Sequence, residues 1–227
     1  MKLKKLFAAI LTATSLLAVA GTADAAVNRE VFNQEEYDKV LKELKTVIVT
    51  GKYNEYLERT KGEYDVGVRY AMRAGCGEKY LDKIGYVQMD INGDDIPELI
   101  IGSVEDPSRV YQLLTYFDGT ARQMFKSDYS CQFDYLGGNR FLKYGENTSY
   151  GARAFGVARF TGYAMEWDKF YYNAHGEMYT NRSGRVVIPA YDYSDLVPGI
   201  DYDDLPKMFE KEYKNVKPLP FTPFRQL

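Results

Sequence analysis

At Ile84 the chain changes from a helical to a two-residue period and keeps the new period for most of its remaining length. Short apolar/polar alternations closed by Gly, Asp or Asn commit a chain to strands, because successive side chains of a strand point to opposite faces. Such runs fall at 84–89, 99–102, 110–117, 121–125, 132–136, 140–144, 152–160, 165–172 and 178–180, with a further one at 185–188. Asp118-Gly119 and Gly137-Gly138-Asn139 separate adjacent runs, and these residues accept the positive φ angles of tight hairpin turns. The reading is a long antiparallel β-meander.

Helical patterning flanks it. Asn33 is a candidate N-cap with Glu36 placed for a capping box. Tyr37, Val40, Leu41, Leu44, Val47 and Ile48 then follow at helical spacing until Gly51. A shorter helix is expected at 53–59, Gly67 interrupts the helical pattern of 64–73, and 75–77 is a loop around Cys76. Near the other end 203–214 reads as a helix with Leu205, Met208 and Phe209 on one face, followed by an extended proline-rich tail. The fold class expected is therefore α+β: N-terminal helices, a central antiparallel β-meander and one C-terminal helix.

The first residues belong to targeting rather than to the fold. Lys2, Lys4 and Lys5 precede an apolar run, and Ala23-Asp24-Ala25 supplies small residues at the exit, the pattern of a secretory signal peptide over 1–25. The run is shorter than the roughly 20 residues needed to cross a bilayer, so no membrane span is expected, and no cysteine lies at the cleavage point to take a lipid. Ala26 would begin the mature chain, with a helical region at 26–83 and the meander at 84–227 forming one globular unit. A net charge of −3 argues against nucleic acid or an anionic membrane as partner. Tyrosine occurs 21 times against one tryptophan and one histidine, which suits a β-rich extracellular protein. The 2 cysteines, Cys76 and Cys131, are expected to form a disulfide in that oxidising compartment.

One loop carries chemistry. Asp90, Asn92 and Asp94 alternate in Asp-Ile-Asn-Gly-Asp-Asp-Ile-Pro-Glu-Leu, so a coiled backbone turns all three inward. The carbonyl of Ile96 and the carboxylate of Glu98 extend the set to positions one, three, five, seven and nine. A hard cation such as Ca²⁺ takes roughly six or seven oxygens, several of them charged. An EF-hand would need a glutamate at position twelve, where Ile101 stands, and helices rather than strands on both sides. The plain alternative is a polar turn between two strands.

The stretch from Tyr86 through Asp90-Ile-Asn-Gly-Asp-Asp-Ile-Pro-Glu98 to Gly102 resembles the D-x-N-G-D-G-x-P-E-L calcium loops of secreted bacterial proteins, which are similar to those of FG-GAP and integrin-type repeats. The resemblance implies secretion and Ca²⁺ held by Asp90, Asn92, Asp94 and Glu98, and it implies no reaction. A propeller is not expected, because such folds repeat the loop and here it occurs once. Asp95 departs from the pattern: the sixth position is normally Gly, since the backbone there takes positive φ.

Catalytic candidates are sparse. His175 is the single histidine and lies in a turn, so no histidine-based metal cluster is available, and neither a Gly-x-Ser-x-Gly elbow nor a phosphate-cradling glycine loop is present. Glu166 and Asp168, two apart on one strand, are the carboxylate pair a glycosidase would use, with Glu146 and Glu177 elsewhere. Trp167, Phe170, Tyr171, Tyr172, Tyr191 and Tyr193 offer either a stacking surface or sheet packing, with alternation separating Trp167 and Tyr171 from Phe170 and Tyr172. The sequence points to a secreted calcium-binding domain, a non-enzymatic module for an extracellular ligand or surface such as a glycan or a protein. The alternative is a secreted carbohydrate-active enzyme using Glu166 and Asp168.

Overall fold

Asn33 starts the longest helix: its Oδ1 accepts the Glu35 N–H at 3.1 Å, and α1 runs Gln34–Thr50. The reciprocal arm of a capping box is not made, because Glu36 pairs with Lys39 at 2.6 Å instead. Gly51, at φ 69°, ends the helix and donates its N–H to the Val47 carbonyl at 2.8 Å. Next come α2 (Tyr53–Arg59) and α3 (Val68–Ala71). This computed structural model describes residues 31–60, 67–72, 75–128, 131–147, 152–174, 177–181, 194–196 and 202–227. The expected signal peptide, the strand expected at 185–188 and His175 lie outside them.

The strands are β1 (Ile84–Met89), β2 (Glu98–Ser103), β3 (Arg109–Phe117), β4 (Thr120–Lys126), β5 (Gln132–Gly137), β6 (Arg140–Asn147), β7 (Ala152–Phe160), β8 (Met165–Ala174), β9 (Glu177–Asn181), β10 (Ser194–Leu196) and β11 (Thr222–Pro223). They form one sheet in the order β10-β9-β8-β7-β6-β5-β3-β2-β1-β11, with β4 paired to β3 off this path. Every pairing between neighbours is antiparallel. The β3–β4 turn sits on Asp118 and Gly119 at φ 56° and 76°, the pair of positive values a tight two-residue hairpin requires. The fold is thus mixed α and β, dominated by an antiparallel sheet. Its C-terminal helix is not single: α4 (Leu205–Met208) and α5 (Glu210–Lys214) are separated by Phe209, which leaves helical geometry at φ −107°, ψ 11° and is fully buried.

Alternation sorts the apolar residues onto two faces. Leu99 and Ile101 of β2, with Leu114 and Tyr116 of β3, meet the buried side of α1 in one core. Ile100 between them points the other way, into a core shared with Phe133, Phe141, Phe160, Met165 and Trp167. Residues from early and late strands share that inner core, so the sheet curls around it. On the outer face of β6 and β7, Leu142, Phe155 and Val157 take Leu205 and Phe209. Two separate helical layers thus cover the outside of one curled sheet. Residues 32–227 make up one compact unit, and among the described residues no helix is long and apolar enough to cross a membrane.

Two expectations are corrected by this arrangement. Cys76 and Cys131 are free thiols. Cys76 belongs to the helical side, where a Cβ on Gly51 would come within 2.8 Å of its Sγ. Cys131 packs against the inner core on the opposite face, so the sheet stands between the two sulfurs. Trp167 and Phe170 do not fall on opposite faces. The β7–β8 register shifts between Val157 and Ala158, leaving Asp168 as an extra residue, and both rings then enter the inner core, stacked 4.1 Å apart. The bulge re-phases the strand.

Candidate cation-binding loop

The loop between β1 and β2 is wound by its own side chains. Asp90 Oδ1 accepts the N–H groups of Asn92 and Gly93 at 3.2 and 2.7 Å, and Oδ2 accepts that of Asp95 at 3.0 Å. Asn92 Oδ1 takes the Asp94 N–H at 3.1 Å, and Asp94 Oδ1 takes the Ile96 N–H at 2.9 Å. Asx turns of this kind let a short polar side chain replace a backbone acceptor. Gly93 at φ 83° and Asp95 at φ 69° supply the left-handed steps, so Asp95 occupies the conformation expected for a glycine there. Burial works against charge on Asp90, but the amides of Gly93, Asp95 and Asn92 outweigh it and hold its carboxyl below the usual range.

Glu98 stands apart from the other three. It has no exposed surface. Its Oε2 accepts the Ile91 N–H at 3.1 Å and its Oε1 accepts the Thr115 hydroxyl at 3.2 Å. Burial pushes its carboxyl up to about 8, and the neighbouring Asp94 and Asp90 charges add to the rise against those two donors. No cation faces it among these contacts. A carboxylate in such a place must take up a proton or meet a positive charge from elsewhere.

Two outside elements fix the loop. The buried Tyr37 of α1 donates its hydroxyl to the Pro97 carbonyl at 2.9 Å. Burial raises that phenol far above its ordinary range, with Glu98 and Asp94 adding to it. Gly162, in the β7–β8 turn, lies so close that a Cβ would come within 3.0 Å of Asn92 Nδ2 and 3.4 Å of Asp94 Oδ2. The sequence pattern marks Tyr37 only as one apolar-face position of a helix and gives no signal at all for Thr115 or Gly162.

Asp90, Asn92 and Asp94 come together on one winding, where Asn92 Nδ2 also donates to Asp94 Oδ2 at 2.8 Å. Ile96 sends its side chain toward the α1 core. Glu98 is engaged by Ile91 and Thr115, and among the described residues no group of three or more His, Cys, Asp or Glu side chains is gathered closely enough to hold a metal ion as they stand. In kind, the donors suit a hard cation: all are oxygens, three belong to carboxylates, and an oxygen accepting one amide retains lone-pair capacity.

The other carboxylate pair is occupied. Glu166 meets Arg159 at 3.2 Å, while Asp168 meets Arg140 at 3.0 Å and Arg159 at 3.4 Å. Of the aromatic set, Trp167 and Phe170 are core residues and Tyr171 packs against Phe209. Tyr191 and Tyr193 and the side chains of Tyr172, Glu146 and Glu177 lie outside the described residues. A second buried acid, not foreseen, is Asp134: Arg109 Nε donates to it at 2.6 Å, and the Tyr144 hydroxyl, itself bonded by Arg109, donates to it at 2.9 Å. Comparison of the chain with protein-family models, curated proteins and solved structures finds no match.

Proposed function

We propose that the chain is a secreted, calcium-stabilised binding domain without catalytic activity, and that Asp90, Asn92, Asp94, Glu98 and the Ile96 carbonyl hold the ion. The observation that carries this reading is the buried Glu98, raised to about 8 beside two further carboxylates on a loop that already coils around Asp90. A bound divalent cation supplies the positive charge this group of acids lacks. Asp90 organises the backbone, Asn92 and Asp94 present oxygens on the same winding, and Glu98 closes the set from the sheet side. The resemblance to secreted calcium-loop proteins and the leader-like first residues support an extracellular setting, where the ligand is a glycan or a protein surface.

The glycosidase reading has less behind it. Such chemistry wants one carboxyl kept neutral by burial, whereas Glu166 and Asp168 are partly exposed and each faces arginine. Calorimetric titration of the purified mature chain with Ca²⁺, after stripping by chelator, tests the proposal. Saturable binding that Asp90→Ala abolishes is expected, and absence of heat and of any melting shift at millimolar Ca²⁺ would overturn it. A glycan array run beside a glycoside-hydrolysis screen tests the binding role, with retention and no turnover expected.

A further inference from the structure

Resting on the calcium reading above, we propose that Tyr37 is a positioning residue for the ion, so that docking of α1 on the sheet and cation binding in the loop reinforce one another. The geometry is specific. Pro97 lies between the two residues that close the proposed ligand set, Ile96 with its carbonyl and Glu98 with its carboxylate. The Tyr37 hydroxyl donates to the Pro97 carbonyl at 2.9 Å, across 60 residues of sequence. Tyr37 is itself immobilised: it is fully buried, it stands in the first turns of α1, and Phe32 packs against its ring at 5.2 Å. From the sheet side the Thr115 hydroxyl donates to Glu98 Oε1 at 3.2 Å. The arm 96–98 is thereby held between one helix and one neighbouring strand, while the winding 90–95 is held mainly by its own Asx turns.

This division has a thermodynamic consequence. If α1 must be seated for Pro97 to be fixed, the ion binds the seated state more tightly, and by reciprocity the ion must favour seating. A phenol packed only to fill the α1 core would carry no such coupling. Removing the hydroxyl and keeping the ring separates the two roles.

The experiment uses the mature chain, wild type and Tyr37→Phe, with Thr115→Val as a second variant that acts on Glu98 without touching α1. Ca²⁺ affinity is measured by calorimetry, and hydrogen exchange of the α1 and loop amides is followed with Ca²⁺ and with chelator. Loss of an outer-shell partner commonly weakens metal binding by about tenfold or more, and that is the expected result for Tyr37→Phe. In the wild type Ca²⁺ should slow exchange in both the loop and α1, and in Tyr37→Phe in the loop alone. Thr115→Val should weaken binding and leave the slowing of α1 in place. Unchanged affinity in Tyr37→Phe, or α1 exchange indifferent to Ca²⁺ in a wild type whose loop responds, would overturn the coupling and leave the calcium reading standing. A wild type that binds no Ca²⁺ would overturn both, and is told apart by the flat wild-type titration.

Discussion

Glu98 and Asp134 are both buried acids on the same sheet, and they are provided for in opposite ways. Asp134 has a guanidinium at 2.6 Å and a phenol at 2.9 Å, and Arg109 continues to Gln132 at 2.6 Å and to Asp106 at 3.7 Å. Among the described residues Glu98 has only neutral donors, one amide and one hydroxyl, and the charges that act on it are the negative ones of Asp94 and Asp90. One site is complete with the chain's own residues. The other is short of positive charge, and the deficit can be met by a proton or by an ion. The difference teaches where to look for a ligand: an acid that the fold has neutralised is architecture, and an acid that it has left unneutralised is an opening.

A large effect should come from breaking the complete site. Arg109→Met leaves Asp134 buried with its counter-charge gone, and loss of one partner of a buried pair costs about 3 kcal/mol or more. The low end applies, since the Arg109 side chain keeps 20% of its surface exposed. Denaturant titration should show this loss equally with Ca²⁺ and with chelator, because Asp134 has no part in the loop.

Of similar size is the pH response of the incomplete site in chelator. The Glu98 carboxyl holds its proton up to about pH 8 in the folded chain but only to about 4.5, its ordinary value, when unfolded. The folded state therefore binds the extra proton in that window. Stability from this group is full below about pH 4.5 and is lost as the pH rises through about 8. Melting temperatures taken from pH 5 to 9 should fall accordingly, and Glu98→Gln should flatten the profile. Asp90 acts in the other direction: its depressed carboxyl stabilises the fold above its ordinary value of 3.8 and loses that effect as the pH drops below it.

A smaller shift follows from the ion itself. Extracellular calcium modules bind with dissociation constants on the order of 10⁻⁴ to 10⁻³ M, so about 1 mM Ca²⁺ should add roughly 0.4 to 1.4 kcal/mol. Thermal melting at pH 7.5 reads this as a rise that Asp90→Ala removes, with Mg²⁺ a poor substitute because it prefers a tighter octahedral shell. The Arg109→Met chain should retain the same increment, which keeps the two acids separate. The smallest expected effect is that of Asp95→Gly. Relieving a non-glycine residue at φ 69° should stabilise the chelated protein by about 0.5 kcal/mol, part of the gain being lost to the unfolded-state entropy of glycine. Denaturant midpoints of the two chains in chelator decide it.

Much of the element list was legible because local rules suffice for it. Asn33 and Gly51 bound α1 as expected, and the Asp118-Gly119 pair makes the hairpin turn that its sequence predicts. Three features escaped for one shared reason: each depends on what lies across the fold. Trp167 and Phe170 share a core because a bulge at Asp168 breaks the alternation, and a bulge leaves no mark in a hydrophobic pattern. Phe209 interrupts an otherwise helical run to place its ring on Phe155, 5.9 Å away between centroids. The two cysteines suggest a pairing by their number and by the oxidising compartment expected from the first residues, but pairing needs Cα atoms within about 7 Å, and here a sheet face separates them.

The sequence by itself determined the winding of the 90–96 loop, because an Asx turn needs only a short polar side chain and the amide two or three residues further on. It likewise determined the strands β1 to β9, through a period that any buried face must respect, but not the short β10 and β11. Only the tertiary structure decided that Glu98 would be an acid with no counter-charge among the described residues, since the packed sheet leaves it no exposed surface and its polar contacts come from Ile91 and from Thr115 on β3. Only the tertiary structure placed Tyr37 on Pro97 and Gly162 against Asn92. Desolvation and electrostatic fields act through space, over contacts between residues far apart in the chain, and no local spacing records them.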